Sequence, residues 1–222
     1  MTRAFWLLLV LCLPAGAHAQ SEIPLRRLQL AAGIGIVGGA SLGSADANLR
    51  SNMSSDPYRL FASSSRLERA AILDLRVAVD LTRRFGIDGH LLYGHPELRI
   101  DVSGDVESAS PVTALDRLDQ YVIDGGVVIA LHELTAGGWQ PFAAGGAGYL
   151  RQLHEGLTLT EEGTVFYVGG GARRAFVTRT RGLLRGLGAR GDVRLNVLSG
   201  GVRVDDGARR HVSVSGSVFV VF

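Results

Sequence analysis

The sequence predicts an all-β fold: a single eight-stranded antiparallel up-and-down transmembrane β-barrel, with short periplasmic turns and longer extracellular loops. Three observations predict it. Eight segments alternate in character with period two, as strands with two unlike faces do. Their second face is Gly, Ala and Ser with isolated Asp, Arg and His, not the dense charge of a wetted surface. The connections run long, short, long, short, long, medium, long, the asymmetry of a barrel that crosses a membrane.

The last segment, His211 to Phe222, carries the pattern most plainly. Val212, Val214, Val218, Val220 and Phe222 share one parity, and Ser213, Ser215 and Ser217 share the other. An apolar strand at a free end would aggregate in water. Paired on both sides, with one face in lipid, it is stable. No further domain is expected beyond it.

The beginning of the chain reads as an export signal. Met1 to Arg3 is a short basic start, Phe5 to Leu13 is apolar, and Pro14 breaks the run. Ala17-His18-Ala19 supplies the small residues of a cleavage site, so residues 1–19 are expected to leave and 20–222 to form the barrel domain. The run is too short for a spanning helix, which takes ~20 apolar residues. Cys12 leaves with the leader, so no disulfide or Cys-based metal site is expected. All 23 basic residues are arginine; without Arg3, 22 face 21 acids, a formal charge of +1. Such a balance gives no case for nucleic acid.

Each strand is justified by its own alternation. In the first, Arg27 to Gly38, Leu28, Leu30, Ala32, Ile34 and Ile36 oppose Gln29, Ala31, Gly33 and Gly35. A polar loop is expected over Gly39–Ser65. The second strand, about Arg69 to Leu81, sets Leu73, Leu75, Val77, Val79 and Leu81 against Asp74, Arg76, Ala78 and Asp80. After a tight turn at Thr82-Arg83-Arg84, Phe85, Ile87, Leu91 and Tyr93 oppose Asp88 and His90. A second loop is expected over Asp101–Arg117. The fourth strand, about Tyr121 to Leu131, sets Tyr121, Ile123, Val127, Ile129 and Leu131 against Asp124 and Gly126. The fifth, Trp139 to Leu153, is too rich in Gly and Ala to fix its register. The loop His154–Gly163 precedes the sixth, about Thr164 to Arg173. The seventh, about Gly186 to Leu198, sets Leu187, Ala189, Val193, Leu195 and Val197 against Arg190, Asp192, Arg194 and Asn196, and the loop Ser199–Arg210 follows. A soluble barrel would show the same alternation. Small residues on the second face decide for a crowded interior, because an eight-stranded cylinder is only just wide enough for side chains.

Pro141-Phe142-Ala143-Ala144-Gly145-Gly146-Ala147-Gly148-Tyr149, Phe166-Tyr167-Val168-Gly169-Gly170-Gly171, Leu187-Gly188-Ala189-Arg190-Gly191-Asp192-Val193-Arg194 and the final Phe222 resemble the small outer-membrane β-barrel family, which includes the OmpA transmembrane domain and OmpX-type proteins. The resemblance covers the whole chain after the leader. It implies an outer-membrane location and insertion by the barrel-assembly machinery, with Phe222 in the C-terminal assembly signal. It also implies contact with outer-membrane lipids and lipopolysaccharide. One departure is the segment Arg174–Arg185, long and basic for a periplasmic turn.

The inward charges Asp74, Arg76, Asp80, Asp88, His90, Asp124, Arg190, Asp192 and Arg194 form the candidate site. Acids of strands two to four would face arginines of strands two and seven across a narrow lumen. Buried charges must be paired, and the planar guanidinium suits a carboxylate. The expectation is a structural ion-pair plug without catalysis, in an envelope protein with a structural or surface-interaction role. The alternatives are a narrow channel for small solutes and a lipid A-modifying enzyme. The last rests on His211-Val212-Ser213, which resembles the His-x-Ser pair of outer-membrane lipid A deacylases but lacks a following Asn and a downstream Glu.

Gly33 to Gly38 matches the spacing of a dinucleotide fingerprint but lies inside a strand, so no cofactor is expected. His90, His95, His132 and His154 have no metal-ligand spacing. The loop acids Asp101, Asp105, Glu107, Glu155, Glu161, Glu162, Asp205 and Asp206 read as solvated. The arginines of Arg173–Arg185 either touch lipid head groups or are solvated. Trp139, Tyr121, Tyr149, Tyr167 and Phe222 are expected in interfacial girdles.

Overall fold

The computed structural model describes residues 28–49, 58–104, 110–154, 159–179, 182–202 and 208–222. The expected leader, with Asp105, Glu107, Glu155, Asp205 and Asp206, lies outside the described residues. Eleven strands are described: β1 (Leu28–Val37), β2 (Ala40–Leu49), β3 (Tyr58–Leu67), β4 (Ala70–Asp80), β5 (Phe85–Gly94), β6 (Glu97–Ser103), β7 (Val112–Ala130), β8 (Gln140–His154), β9 (Thr160–Thr178), β10 (Gly186–Gly200) and β11 (Arg209–Val221). Eight of them pair in the order β1-β4-β5-β7-β8-β9-β10-β11, and β11 pairs back onto β1 from Gln29↔Val221 to Val37↔Ser213. All these pairings are antiparallel, so the ring closes and no strand edge is left within it.

The turns at one end are tight. Between β4 and β5, Thr82 Oγ1 accepts from the Phe85 and Arg84 amides at 2.9 and 3.2 Å. Between β7 and β8 a 3₁₀ turn, His132–Leu134, is followed by Gly137 and Gly138 at φ 58° and 79°, the left-handed region open to glycine. The same end holds both ends of the ring, where the Phe222 amide donates to Leu28 O at 2.9 Å.

At the other end the ring grows a flap. β2, β3, β6 and the first part of β7 pair in that order, with Ala40↔Leu67, Leu67↔Leu98 and Leu98↔Asp116 in register. This corrects the expected loops over 39–65 and 101–117. Ser, Asn and Asp favour turns when free, but here the first three ring strands run on past breaks at Gly38-Gly39, Glu68-Arg69 and His95-Pro96. The ladder is already in register at those breaks. Leu42, Leu67 and Leu98 then anchor the flap's inner face, packing with Leu118 and Val202. Local propensity loses to pairing and burial. The turn before β10 is also shorter than expected, because β9 runs to Thr178.

Candidate functional site

The parities predicted for the ring strands hold. Leu73, Leu75, Val77, Phe85, Ile87, Leu91, Ile123, Val193, Leu195, Val212, Val214 and Val218 are exposed on the outside of the ring. On β8 the ambiguous register resolves with Phe142, Ala144 and Leu150 inward and Tyr149 outward. No outward position of the ring carries a charge between an upper row (Arg69, Arg117, Asp119, Arg151, Glu162, Arg210) and a lower one (Arg83, Arg84, Arg174, Arg185), among the described residues. From Ala71 to Leu81 this band is ten steps of ~3.3 Å, about 25 Å high at a tilt of ~40°, the height of an apolar belt in a membrane barrel.

The fold is a closed eight-stranded antiparallel β-barrel with an apolar outer belt, the build of a membrane-spanning barrel. Solved structures similar to it include the outer membrane protein OprG of Pseudomonas aeruginosa (9% identity, TM-score 0.44, covering 89% of this chain and 96% of that one). Ail, the attachment invasion locus protein of Yersinia pestis, is similar at 11% identity and TM-score 0.39, over 90% of this chain and all of that one. A structure of Ail with the heparin analogue sucrose octasulfate gives 12%, 0.41 and the same coverage. No family model matches the chain, and neither does any curated protein.

Inside the barrel, all nine predicted charges are buried. β5 and β10 are four places apart either way round the ring, so they face each other across its full width. Arg190 Nη2 crosses that width to Asp88 Oδ2 at 3.3 Å, and Arg194 Nη2 reaches His90 Nε2 at 2.8 Å. Arg194 Nη1 stands 3.6 Å from Asp124 Oδ2. From β4, Arg76 donates to Asp192 at 3.1 and 3.2 Å and to Asp74 at 3.0 Å. Asp192 also takes three contacts from Arg190, at 2.9 to 3.2 Å. His90 lies between two carboxylates, Asp74 at 3.3 Å and Asp88 at 3.1 Å.

The glycines and serines make these crossings possible. Gly33 and Gly35 of β1 pair with Ser217 and Ser215 of β11, so this part of the wall carries only small side chains. Ser215 adds a hydroxyl donor to Asp74 at 3.2 Å. A nucleotide fingerprint at Gly33–Gly38 has no phosphate to serve, since these glycines line a packed interior.

Sequence reasoning missed several inward residues. Arg173 donates to both oxygens of Asp80 at 3.0 and 3.1 Å and to Gln140 at 2.9 Å, while Gln29 donates to Asp80 at 2.6 Å. Asp80 therefore belongs to a separate group at the lower mouth, away from the other eight. Arg173 shares parity with Val165 and Tyr167, a signal present in the sequence. Tyr167 is a correction: expected in a girdle, it is buried in the lumen with its ring 4.5 Å below the Arg194 guanidinium. It sits there because β9 turns that parity inward. Tyr121 and Tyr149 are exposed on the outer face, and Trp139 and Phe222 are half-buried.

Apolar layers close the charges in from both sides. Below lie Phe142, 4.1 Å from the Arg190 guanidinium, with Val128 and Ala144, then Phe219 and Val221. Above lie Val122, Leu150, Val165 and Leu198. Gln152 next donates to Gln120 at 2.7 Å and accepts from the Val202 amide at 3.0 Å, beneath the flap's leucines.

His211 and Ser213 are both buried and face the lumen, where Asn196 donates to Ser213 Oγ at 3.0 Å. The pair points away from any lipid acyl chain. The other histidines are dispersed: His95 meets Asp119 at 2.6 Å, His154 meets Asp116, and His132 meets Arg83 O. Among the described residues, no group of three or more His, Cys, Asp or Glu could hold a metal.

Proposed function

We propose that this protein is exported, loses residues 1–19, and spans the outer membrane as a barrel whose lumen is filled by side chains. Its role is structural or surface-interacting rather than catalytic or transporting. The observation that carries the reading is the Arg190–Asp88 pair, which bridges opposite walls between apolar layers. A lumen crossed by paired charges and capped by leucines has no continuous water path for solutes.

The lumen charges Asp74, Arg76, Asp88, His90, Asp124, Arg190, Asp192 and Arg194 act as the plug, with Asp80 joining Arg173 at the lower mouth. Function then falls to what the plug supports. The serine-rich flap stands beyond the apolar band, in water, where lipopolysaccharide or an extracellular partner would meet it. Insertion by the barrel-assembly machinery, reading Phe222, completes the proposal.

Planar bilayers containing the refolded protein provide the test. They are expected to show no steady large conductance. Reproducible openings of porin size would overturn the filled-lumen reading, and small steady steps would favour the narrow channel.

A further inference from the structure

The two ends of the apolar band carry different charge patterns. Around the upper row the signs alternate, Arg69, Glu97, Arg117, Asp119, Arg151, Glu162 and Arg210. At the lower end the described charged positions outside the lumen are Arg83, Arg84, Arg174, Arg179 and Arg185, against Glu133 alone. Glu133 is taken by Arg84 at 2.8 Å. Among the described residues no carboxylate forms an ion pair with Arg83, Arg174, Arg179 or Arg185.

A second, independent observation lies beside those arginines. The β9–β10 hairpin exposes Phe176, Val177, Leu183 and Leu184, and Leu183 is 82% exposed. A turn held in water would not present such residues around a cluster of like charges. Arg185 Nε is fixed by Gly182 O at 3.2 Å, and the Arg174 guanidinium lies 5.9 Å from the Phe176 ring. Apolar side chains dipping into the acyl boundary, with guanidiniums at head-group height, are the arrangement of an interfacial anchor.

We infer that the lower end of the barrel, centred on the β9–β10 hairpin, is a binding surface for the phosphate of acidic phospholipids in the periplasm-facing leaflet. Arg83, Arg174, Arg179 and Arg185 supply the charge, and Leu183 and Leu184 set the depth. The inference rests on the membrane-barrel reading above. It goes further by assigning a lipid class to one end. Acidic lipid, not zwitterionic lipid, offers the net negative charge that four unpaired arginines lack.

The test uses the full chain refolded from detergent into mixed phosphatidylethanolamine–phosphatidylglycerol vesicles, with retained lipid counted by native mass spectrometry. Wild-type protein should retain phosphatidylglycerol preferentially. Arg179→Gln/Arg185→Gln should lower that preference roughly tenfold or more, while Arg117→Gln/Arg151→Gln at the upper row should leave it intact. Equal retention of both lipids by wild type, or equal loss in both double variants, would overturn the inference. Should the hairpin variant not fold, Leu183→Ser with Arg83→Gln is read in the same way. A wild-type chain that never becomes heat-modifiable in vesicles would instead refute the barrel reading itself.

Discussion

Asp192 is the best place to measure how much the buried charges contribute. Its carboxylate receives Arg76 from β4 and Arg190 on its own strand, and both partners are almost fully enclosed. Asp192→Ala leaves two guanidiniums facing each other with no shared counter-charge. Removing one partner of a buried pair costs about 3–5 kcal/mol, because the survivor stays desolvated and unpaired. Asp192→Asn keeps the shape and an acceptor but not the charge, so it should fall between wild type and Ala. The control is Glu68→Ala, whose partner Arg66 lies 2.8 Å away on the flap with both side chains well exposed. An exposed pair of that kind is worth ~0–1 kcal/mol. The assay is urea unfolding of vesicle-refolded protein, followed by heat-modifiability and by fluorescence of Trp139, the single tryptophan after the leader. If Asp192→Ala shifts stability no more than Glu68→Ala does, the network is ornament and the argument for a charge-plugged lumen fails.

Further outcomes separate the parts of the structure. Ile34→Arg, at a position 75% exposed in the apolar band, should cost about 2–4 kcal/mol in lipid. Leu115→Arg on the flap, at 62% exposure, should be close to neutral; equal costs would put both residues in one solvent. Gly148→Ala would drive a methyl into Asp124, 2.5 Å from its Cβ, and into Ile123 O, so a loss of about 1–3 kcal/mol is expected in the same urea titration. Gly216→Ala meets nothing within 4 Å and should be tolerated; matching losses would contradict the packing. On the flap, the Thr113 hydroxyl, 2.6 Å from Asp101, and the Arg99 guanidinium hold the Asp101 carboxyl below the usual carboxylate range. A depressed carboxyl stabilises above its unfolded pKa and loses that contribution as pH falls through its folded one. Amide protection in β6, taken relative to the intrinsic exchange rate at each pH, should therefore fall only below about pH 4, and protection that stays constant on acidification would contradict it.

The ring was legible in the sequence because lipid and lumen impose opposite demands on alternate residues. Leu73 to Leu81 and Leu187 to Val197 could be assigned to faces without any coordinates. The flap was not legible. Ser63, Ser64 and Ser65 carry no strand preference of their own, and they become strand because β2 and β6 pair with them on either side. Composition misled at Tyr167, where an aromatic beside glycines suggested a girdle and parity should have taken precedence. Parity also places Phe219 and Val221 among the inward residues, opposite to Val218 and Val220. An alternation read as valine against serine hid the two large side chains that close the lower lumen.

The charged layer and its apolar neighbours depend on one another. Taken alone, eight buried charges in a narrow cylinder would admit water from both mouths, and the pairs would be screened. Val122, Leu150, Val165 and Leu198 on one side and Val128 and Phe142 on the other exclude that water. Each Arg–Asp contact is thereby strengthened in a low-dielectric interior, while any unpaired charge is penalised more heavily. The penalty is what fixes the register of β4 and β5 against β10, since a slip of one residue would turn Arg190, Asp192 and Arg194 into lipid. The flap is rooted in strands whose register is held in this way, through Leu67, Leu98 and Leu118. Its orientation above the membrane is therefore set by charges buried well below it. On the reading proposed above, a barrel with a filled lumen acts through the surface that its buried charges hold in place.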